Sequence, residues 1–401
     1  MKIHANNPRQ KFGLLPLLLA GIITGILLGS AGRLFHIEET IFFIGMVRVF
    51  TTFTSLFSTF LSFMIPLLIL SFVSVGLADL GKKANKLFGI TLLIAYTSTI
   101  TAGFLAYLAG SQVLPHLVSP IRSTASNTQS FEPLLTISVE PVFGVMTALV
   151  LAFSLGLGLA NTSGTYLLQI MKDLQGIVKL ILNKIIIPLI PVHIAGMFLK
   201  IAASGELVST IRMFFWIFVL IVAFQWIYIF LQYVMTSIVC RENKLKQLPK
   251  AFPAYMTALG TQSSASTIPI SLKCAVANGI SEDIADFVIP LGATIHLAGD
   301  TICLVLGAMG IFLAHGITPS LTTFAPFIFM LGVTMVAAPG IPGGGVMAAL
   351  GLLSSLLGFT EPMQQLMISL HLSQDSFGTA CNVAGDQAIA LIINNNVKKL
   401  T

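Results

Sequence analysis

The hydrophobic positions of the chain fall into long apolar segments separated by short polar connectors. A membrane-spanning helix needs roughly 20 apolar residues, and we predict that eight segments cross a bilayer. The predicted spans are residues 12–32, 41–78, 88–111, 138–160, 170–202, 207–239, 283–315 and 361–396. The second is too long for a perpendicular crossing, so it should tilt or bend.

Two further apolar segments, 243–278 and 318–357, are interrupted by polar or helix-breaking residues. The breaks are Thr261-Gln-Ser-Ser-Ala-Ser-Thr267 and Ala338-Pro-Gly-Ile-Pro-Gly-Gly-Gly345. Lipid offers no hydrogen bonds, so backbone that leaves a helix inside a membrane must be buried in protein or line a cavity. We therefore predict two re-entrant helical hairpins in an all-α integral membrane protein. For the second break, an ordinary kinked helix is the alternative.

Composition supports a membrane protein and argues against a soluble one. Of 401 residues, 55% are hydrophobic and 9% are charged, whereas soluble domains carry about 25% charged residues. The net charge of +6 does not indicate a nucleic-acid partner, because the positive residues concentrate in alternate connectors. This asymmetry predicts a multi-pass protein of the cell (inner) membrane with both termini cytoplasmic. The positive residues are Lys2, Arg9, Lys11, Lys82, Lys83, Lys86, Arg241, Lys244, Lys246, Lys250, Lys398 and Lys399.

The first span and the cysteines have ordinary interpretations. Residues 12–28 lack a clean small-residue cleavage site and precede further spans, so we expect the segment to be retained rather than removed as a signal peptide. The four cysteines are scattered without CxxC spacing, which predicts neither a disulfide nor a metal site. They are Cys240, Cys274, Cys303 and Cys381.

Three carboxylates lie inside predicted membrane segments, where a charge is costly and therefore indicates function. They are Asp300, Asp375 and Asp386. The last two share one helical face with Thr379 and Asn382, because the spacings are 4, 3 and 4. Such a face offers hard oxygen ligands to a small cation or to a substrate ammonium group. The alternative is that these side chains bond only to neighbouring helices.

The hairpin tips offer complementary chemistry. Free N–H groups at half-helix N-termini attract a carboxylate, hydroxyl groups add donors, and glycine allows backbone to approach a ligand closely. Together with the acidic face, the tips suit a zwitterion that binds beside a cation. The candidate substrate ligands at the tips are Ser263, Ser264, Ser266, Thr267, Gly340 and Gly343.

The seventh span contains Gly292-Ala-Thr-Ile-His-Leu-Ala-Gly-Asp-Thr301. Its small residues favour local unwinding, which would free carbonyl oxygens for a cation. His296 could couple transport to protons. Alternatively, it is a neutral histidine that bonds to a neighbouring helix.

Four motifs resemble those of the dicarboxylate/amino-acid:cation symporters, the glutamate-transporter family. They are Ser263–Pro269, Pro290–Ile295, Gly340–Gly345 and Asn382–Asp386. The resemblance covers nearly the whole chain and is strongest in its second half. It implies eight transmembrane helices and two hairpins arranged as inverted repeats, with no organic cofactor.

The resemblance also implies how the protein is assembled and works. Family members are homotrimers in which a carrier moves like an elevator against a scaffold. In residues 1–240, spans 1, 2, 4 and 5 would form the trimerisation scaffold, and spans 3 and 6 would join the carrier. Residues 241–401 would form the rest of this transport core. The implied activity is secondary active symport of an amino acid with Na⁺ or H⁺.

Matched residue by residue, Asp375 falls where the family binds the substrate amino group. Thr379 and Asn382 fall on substrate-contacting positions. Asn382 and Asp386, with carbonyl groups of Gly292 and its neighbours, fall on a sodium site. These assignments follow from the resemblance and not from spacing alone.

The other two sodium sites of the family are matched less completely. Thr294 matches part of a second site, and Thr97 and Ser98 match part of a third. The family's Asn-Met-Asp-Gly-Thr motif reads His296-Leu-Ala-Gly-Asp300 here. Loss of the asparagine and aspartate, at His296 and Ala298, predicts fewer sodium ions than in members with the full motif.

Four departures concern the substrate side chain. Gly378 replaces the arginine that holds an acidic side chain, and Gln262 occupies the alternative arginine position. Asp300 replaces a threonine that faces the substrate, and His371 replaces a carboxylate. A buried substrate carboxylate would lack its partner, which is strongly unfavourable. We therefore expect an amino acid with a neutral side chain, or a cationic one, while dicarboxylate transport is the alternative.

Two other classes of function are also conceivable. A channel would conduct without concentrating its solute. An intramembrane enzyme could use Ser263 or Ser264 with His296 as nucleophile and base. Because the sequence contains no nucleophile elbow and no HExxH helix, we do not expect an enzyme.

Overall fold

The computed structural model describes residues 14–81, 86–120, 131–162, 166–336, 338 and 343–398. All regular secondary structure within these ranges is helical, as predicted. The helices are α1 (Leu14–Leu34), α2 (Ile41–Gly81), α3 (Lys86–Leu117), α4 (Val145–Asn161), α5 (Tyr166–Ile181), α6 (Ile187–Ser204), α7 (Leu207–Cys240), α8 (Leu248–Thr261), α9 (Ser264–Ala277), α10 (Glu282–Ile295), α11 (Ala298–Ala314), α12 (Leu321–Met335), α13 (Gly344–Leu357) and α14 (Glu361–Lys398).

The helix bounds agree with most of the predicted spans to within a few residues. Helices α5 and α6 together form the fifth span, and α10 and α11 form the broken seventh span. The fourth span is an exception, because its helix begins at Val145 rather than at residue 138. Pro141 lacks an amide N–H, and Gly144 has extended backbone with φ −67° and ψ 158°. These residues therefore delay the start of the helix.

Five helical stretches among the described residues are long and apolar enough to cross a membrane. They are Ile41–Ala78, Leu87–Leu117, Tyr166–Ser204, Leu207–Cys240 and Glu282–Ala314. With α1, α4 and α14 they occupy the eight predicted positions. Helix α14 has 38 residues, which is more than a bilayer crossing requires. Its middle carries the polar residues predicted to share one face, Asp375, Thr379, Asn382 and Asp386.

The two predicted hairpins are present as antiparallel helix pairs. Helices α8 and α9 have 14 residues each and are joined by Gln262 and Ser263. Helices α12 and α13 have 15 and 14 residues, and most of their connection lies outside the described residues. A 14-residue helix is about 21 Å long, which is less than the roughly 30 Å of a hydrocarbon core. The arm lengths therefore suit segments that enter a bilayer and return.

Helices α1 and α6 approach each other closely along a row of glycines. Gly21, Gly25 and Gly29 recur every four residues, and a Cβ atom on each would collide with a carbonyl oxygen of α6. At Gly25, that oxygen belongs to Ala195. Small residues at this spacing let helix backbones pack against each other, which compensates for the absence of a hydrophobic driving force in lipid.

A π-helical turn at Leu182–Ile186 joins α5 to α6. One residue, Ile187, separates it from Pro188, which has no amide N–H and cannot continue an α-helical hydrogen-bond ladder. The turn lets the helix pass this proline without ending. It also sets the register in which α6 faces the glycines of α1.

Helix α14 lies at the centre of the second half of the chain. It packs against α7, α8, α10 and α11, while α3 packs against α11 and α12. In contrast, α1 packs on α6, and α2 packs on α4, α5 and α6. Gln387 strengthens the centre by donating hydrogen bonds from Nε2 to the carbonyl oxygen and to the hydroxyl of Ser271, both at 2.8 Å.

We predict that Gly25→Val lowers the thermal stability of the protein, because the added side chain would force α1 away from Ala195. Overpacking of this kind costs about 1–3 kcal/mol. Gly89→Val is the control, because nothing lies within 4 Å of a Cβ atom there. Melting temperatures of the purified proteins measure the effect. Equal losses of stability in the two variants would contradict the predicted close packing.

Candidate functional site

The site is built around the break between α10 and α11. His296 and Leu297 have non-helical backbone, with φ/ψ of −115°/95° and −118°/51°. Glycines on both sides allow α14 to come close. A Cβ atom on Gly292 would lie 2.7 Å from Asp386 Oδ1, and one on Gly299 would collide with the carbonyl oxygen of Gly378.

The first group of polar side chains, the break cluster, consists of His296, Asp386, Ser98 and Gln232. Nδ1 of His296 lies 3.0 Å from Asp386 Oδ1, and its Nε2 lies 3.0 Å from Ser98 Oγ. Gln232 Nε2 donates to the same hydroxyl oxygen at 3.0 Å. His296 therefore links the broken helix to both α14 and α3.

The second group, the acidic cluster, consists of Asp300, His371 and Asp375, which are all buried. His371 Nε2 lies 3.1 Å from Asp300 Oδ1, and its Nδ1 lies 4.0 Å from Asp375 Oδ1. Asp375 Oδ2 accepts a 2.9 Å hydrogen bond from the backbone N–H of Gly343. The cluster thus connects α11 and α14 to the second hairpin.

Asn382 stabilises the start of α11 with both ends of its amide. Its Oδ1 accepts a 2.7 Å hydrogen bond from the backbone N–H of Gly299, and its Nδ2 donates to Asp300 Oδ2 at 2.6 Å. The first turn of a helix leaves its N–H groups without intrahelical partners. Asn382 satisfies one of these groups and fixes the orientation of Asp300.

Two serines of the first hairpin, Ser263 and Ser266, bond to each other. Ser263 caps α9 by accepting a hydrogen bond from the N–H of Ser266 at 3.3 Å, and Ser264 opens the helix. The link from this tip to α14 is made by Gln262, whose Nε2 donates to Ser376 Oγ at 2.9 Å. Gln262 has φ of +53°, so the tip turns through left-handed backbone. Ser266 is exposed.

The remaining candidates occupy mixed environments. Thr379 is buried on α14, whereas Thr97 and Thr294 are exposed. Thr294 donates its hydroxyl to Leu291 of its own helix at 2.7 Å. The structure therefore does not bring these two threonines into the break cluster. Gly340 lies outside the described residues.

Gly378 lies against the start of α11. A Cβ atom there would lie 3.6 Å from the backbone nitrogen of Asp300 and 3.6 Å from Gln374 Nε2. These are ordinary van der Waals distances, so an alanine would fit at this position without displacing its neighbours.

Three polar residues of α7 that were not predicted from the sequence also belong to the site, namely Gln225, Tyr228 and Gln232. Gln225 Nε2 donates to the carbonyl oxygen of Gly299 at 3.1 Å and to Gln374 Oε1 at 2.9 Å. Tyr228 donates to the carbonyl oxygen of Ser98 at 2.6 Å. The signal was available, because these residues recur every three or four positions along an otherwise apolar helix.

The residues around Gly292 and Asp386 include oxygen ligands of the kind that bind sodium. Gly292 brings the backbone of α10 close to the buried carboxylate, since a Cβ atom there would lie 2.7 Å from Asp386 Oδ1. Carboxylate, amide and carbonyl oxygens are hard ligands that suit a small hard cation. In this structure Asp386 and Asn382 bond to different partners, His296 and Asp300.

We predict that Asn382→Leu destabilises the protein, because the Gly299 N–H loses its partner and Asp300 loses a donor. An unsatisfied buried polar group costs about 1–3 kcal/mol. Asn161→Leu is the matched control, because Asn161 is exposed and bonds only to its own helix. Thermal unfolding of the purified variants tests this, and equal melting temperatures for both would contradict it.

Comparison with known proteins identifies the family. The sequence model of the sodium:dicarboxylate symporter family matches residues 14–396. Serine/threonine transporter SstT of Acinetobacter baumannii (strain SDF) is 27% identical over 368 residues, which cover 86% of this chain and 91% of that protein. The protein of that name from strain AYE is 26% identical over 387 residues, covering 92% and 94%.

A third relative matches a shorter part of the chain. Human excitatory amino acid transporter 2 is 31% identical over 157 residues, which cover 39% of this chain and 27% of that protein. The family and these relatives are transporters, which confirms that the protein is not an enzyme. The chain therefore belongs to the sodium:dicarboxylate symporter family, as a cation-coupled amino-acid symporter of the membrane.

Proposed function

We propose that the protein takes up an amino acid with a neutral side chain together with sodium. The observation that carries this proposal is the pairing of Asp300. One of its oxygens contacts His371 and the other accepts a hydrogen bond from Asn382. Among the described residues, no lysine or arginine contacts the acidic cluster. The described part of the site therefore offers no lysine or arginine to an acidic substrate side chain.

Asp375 would bind the substrate amino group. It is buried, and its Oδ1 lies 4.0 Å from Nδ1 of His371. The ammonium group of a substrate would supply a closer positive partner. The substrate carboxylate would meet the N–H groups and hydroxyls at the hairpin tips, including Ser263, Ser264 and Gly343. Thr379 and Asn382 would complete the contacts from α14.

Two alternatives differ in the charge of the substrate side chain. A cationic side chain would have to displace His371 from Asp300. An acidic side chain would place a third carboxylate beside Asp300 and Asp375, where repulsion and burial both oppose it. The serine/threonine specificity named for the Acinetobacter relatives supports the neutral alternative.

We propose that Gly292, Asn382 and Asp386 hold the coupling sodium ion. When bound, sodium would neutralise the buried carboxylate and tie α10 to α14. His296 lies between Asp386 and Ser98 at 3.0 Å from each. Its ring occupies a position where the resemblance implies a ligand of a third sodium ion. The protein would therefore carry fewer sodium ions than members with the full motif, or it would carry a proton in place of one of them.

We also propose a homotrimer with elevator motion, in the cell (inner) membrane with both termini cytoplasmic. The packing of α1, α2, α4, α5 and α6 on one another supports their role as a scaffold. The packing of α3 and α7 on α11 and α14 supports their place in the carrier with residues 241–401.

Uptake of labelled amino acids into proteoliposomes tests the substrate. We expect serine, threonine or another neutral amino acid to be concentrated. Asp375→Asn should reduce uptake by roughly 100-fold or more, since losing one partner of a buried charged pair costs about 3–5 kcal/mol, and every 1.4 kcal/mol is about a factor of ten. Asp173→Asn is the control, because Asp173 is exposed on α5. Preferred uptake of aspartate or glutamate would refute the proposal, and flux without concentration would indicate a channel.

Replacing external sodium with choline at constant pH tests the coupling ion. We expect uptake to fall to the level of empty liposomes, because Asp386 would lose its counter-ion. Undiminished uptake in choline that instead follows an imposed pH gradient would show that protons drive transport.

Gln262→Arg tests the basis of specificity. The side chain of Gln262 already reaches Ser376, next to Asp375, so an arginine there could pair with a substrate carboxylate. We expect aspartate uptake to rise by about tenfold or more. Gln169→Arg adds the same charge at an exposed position of α5 and should change nothing. Equal effects of both variants would show that the added charge does not act at the site.

A further inference from the structure

We infer that Asp300, His371 and Asp375 also form a binding site for a divalent transition-metal ion such as Zn²⁺, which would compete with the amino acid. Only the predicted competition rests on the proposed function, because the ion and the substrate amino group would share Asp375. The metal site itself rests on the geometry of the three side chains.

The three side chains present ligand atoms close to one another. One atom from each lies within 4.8 Å of the other two, and the shortest contact, His371 Nε2 to Asp300 Oδ1, is 3.1 Å. Ligands held about 2.0–2.2 Å from a zinc ion are roughly 3.4 Å apart in tetrahedral geometry. Small side-chain rotations would therefore bring all three atoms to bonding distance. A water molecule or hydroxide would complete the coordination.

His371 provides an independent indication of a ligand. Its side chain is 0% exposed, yet neither ring nitrogen makes a hydrogen bond of good geometry. A buried imidazole without a hydrogen-bond partner is costly. Both nitrogens face carboxylate oxygens of the cluster. The lone pairs of the two nitrogens diverge, so a metal ion beside these oxygens would bind one nitrogen of the ring and satisfy that nitrogen.

Hydrogen bonds around the cluster orient both carboxylates as a metal site requires. Asn382 donates to Oδ2 of Asp300, and the Gly343 N–H donates to Oδ2 of Asp375. In each carboxylate the other oxygen, Oδ1, faces His371. Such outer partners fix the direction of first-shell ligands and raise metal affinity.

The charge of the cluster favours a divalent cation. With a neutral imidazole, the two buried carboxylates carry two negative charges, and no lysine or arginine of the described residues pairs with them. A divalent ion would balance both charges, whereas a substrate ammonium group would balance one. Carboxylate and imidazole ligands suit Zn²⁺, Co²⁺ and Mn²⁺. Since the Gly343 N–H bonds to Asp375, a bound ion would also hold the second hairpin against α14.

Metal binding to the purified full chain in lipid nanodiscs provides the test. Zn²⁺ would be titrated by calorimetry and Co²⁺ by its visible absorption. We expect one ion per chain, and at least about tenfold weaker binding to His371→Gln. His193→Gln is the matched control, because His193 is also fully buried with both ring nitrogens unpartnered, but it packs against Phe57 in another region. It should bind Zn²⁺ like the unmodified protein.

His371→Cys guards against a loss of binding caused by misfolding. A thiolate in place of the imidazole should retain Zn²⁺ and give Co²⁺ a sulfur-to-metal charge-transfer band that the unmodified protein lacks. Helical circular dichroism and a single size-exclusion peak establish that each variant is folded. Unchanged Zn²⁺ affinity in His371→Gln, or no stoichiometric binding to the unmodified protein, would overturn the inference.

Inhibition of uptake separates this inference from the proposed function. We expect Zn²⁺ to raise the KM for the amino acid without changing the maximal rate, and His371→Gln to remove this effect. Zn²⁺ that binds at the cluster without competing would contradict the placement of the substrate amino group at Asp375, while the metal site would stand. Normal uptake with no metal binding would overturn the metal site alone.

Discussion

The interrupted seventh span depends on side chains of α14 that replace its missing hydrogen bonds. Backbone that leaves the helix inside a membrane has no water to bond with. Asn382 satisfies the N–H of Gly299, and Asp386 holds His296 at the break. The polar face of α14 is therefore both a structural support for α10 and α11 and the lining of the candidate site. Its two tasks explain why it is so polar within an apolar fold.

Much of the architecture could be predicted from the sequence because the membrane restricts the possible structures. Apolar length gave the positions of the helices, and the Ser/Thr and Pro/Gly runs gave the two hairpin tips. The unwinding near His296 was also predicted, from the small residues around it. The start of α4 was predicted wrongly, because apolar composition continues through Pro141 and Gly144 where the helix does not.

The candidate site was less predictable because its members come from separate helices. The 4, 3, 4 spacing placed Asp375, Asn382 and Asp386 on one helix, but it did not reveal that each bonds to different partners. The contribution of α7 was not predicted. The sequence shows that α7 carries amide side chains, but their hydrogen-bond partners lie on other elements, including α3 and α11, and are known only from the tertiary structure.

The π-helical turn at Leu182–Ile186 has a consequence for how the first half of the chain can change in evolution. A π turn contains one residue more than an α-helical turn of the same path. Removing that residue would therefore restore regular winding with little rotation of α6, whereas a single deletion at another position ahead of Pro191 would rotate α6 by about 100°. Pro191, Ala195 and Leu199 would then turn away from the glycines of α1. Outside the π turn, insertions and deletions should thus be tolerated poorly within this helix, even at positions whose side chains contact only lipid.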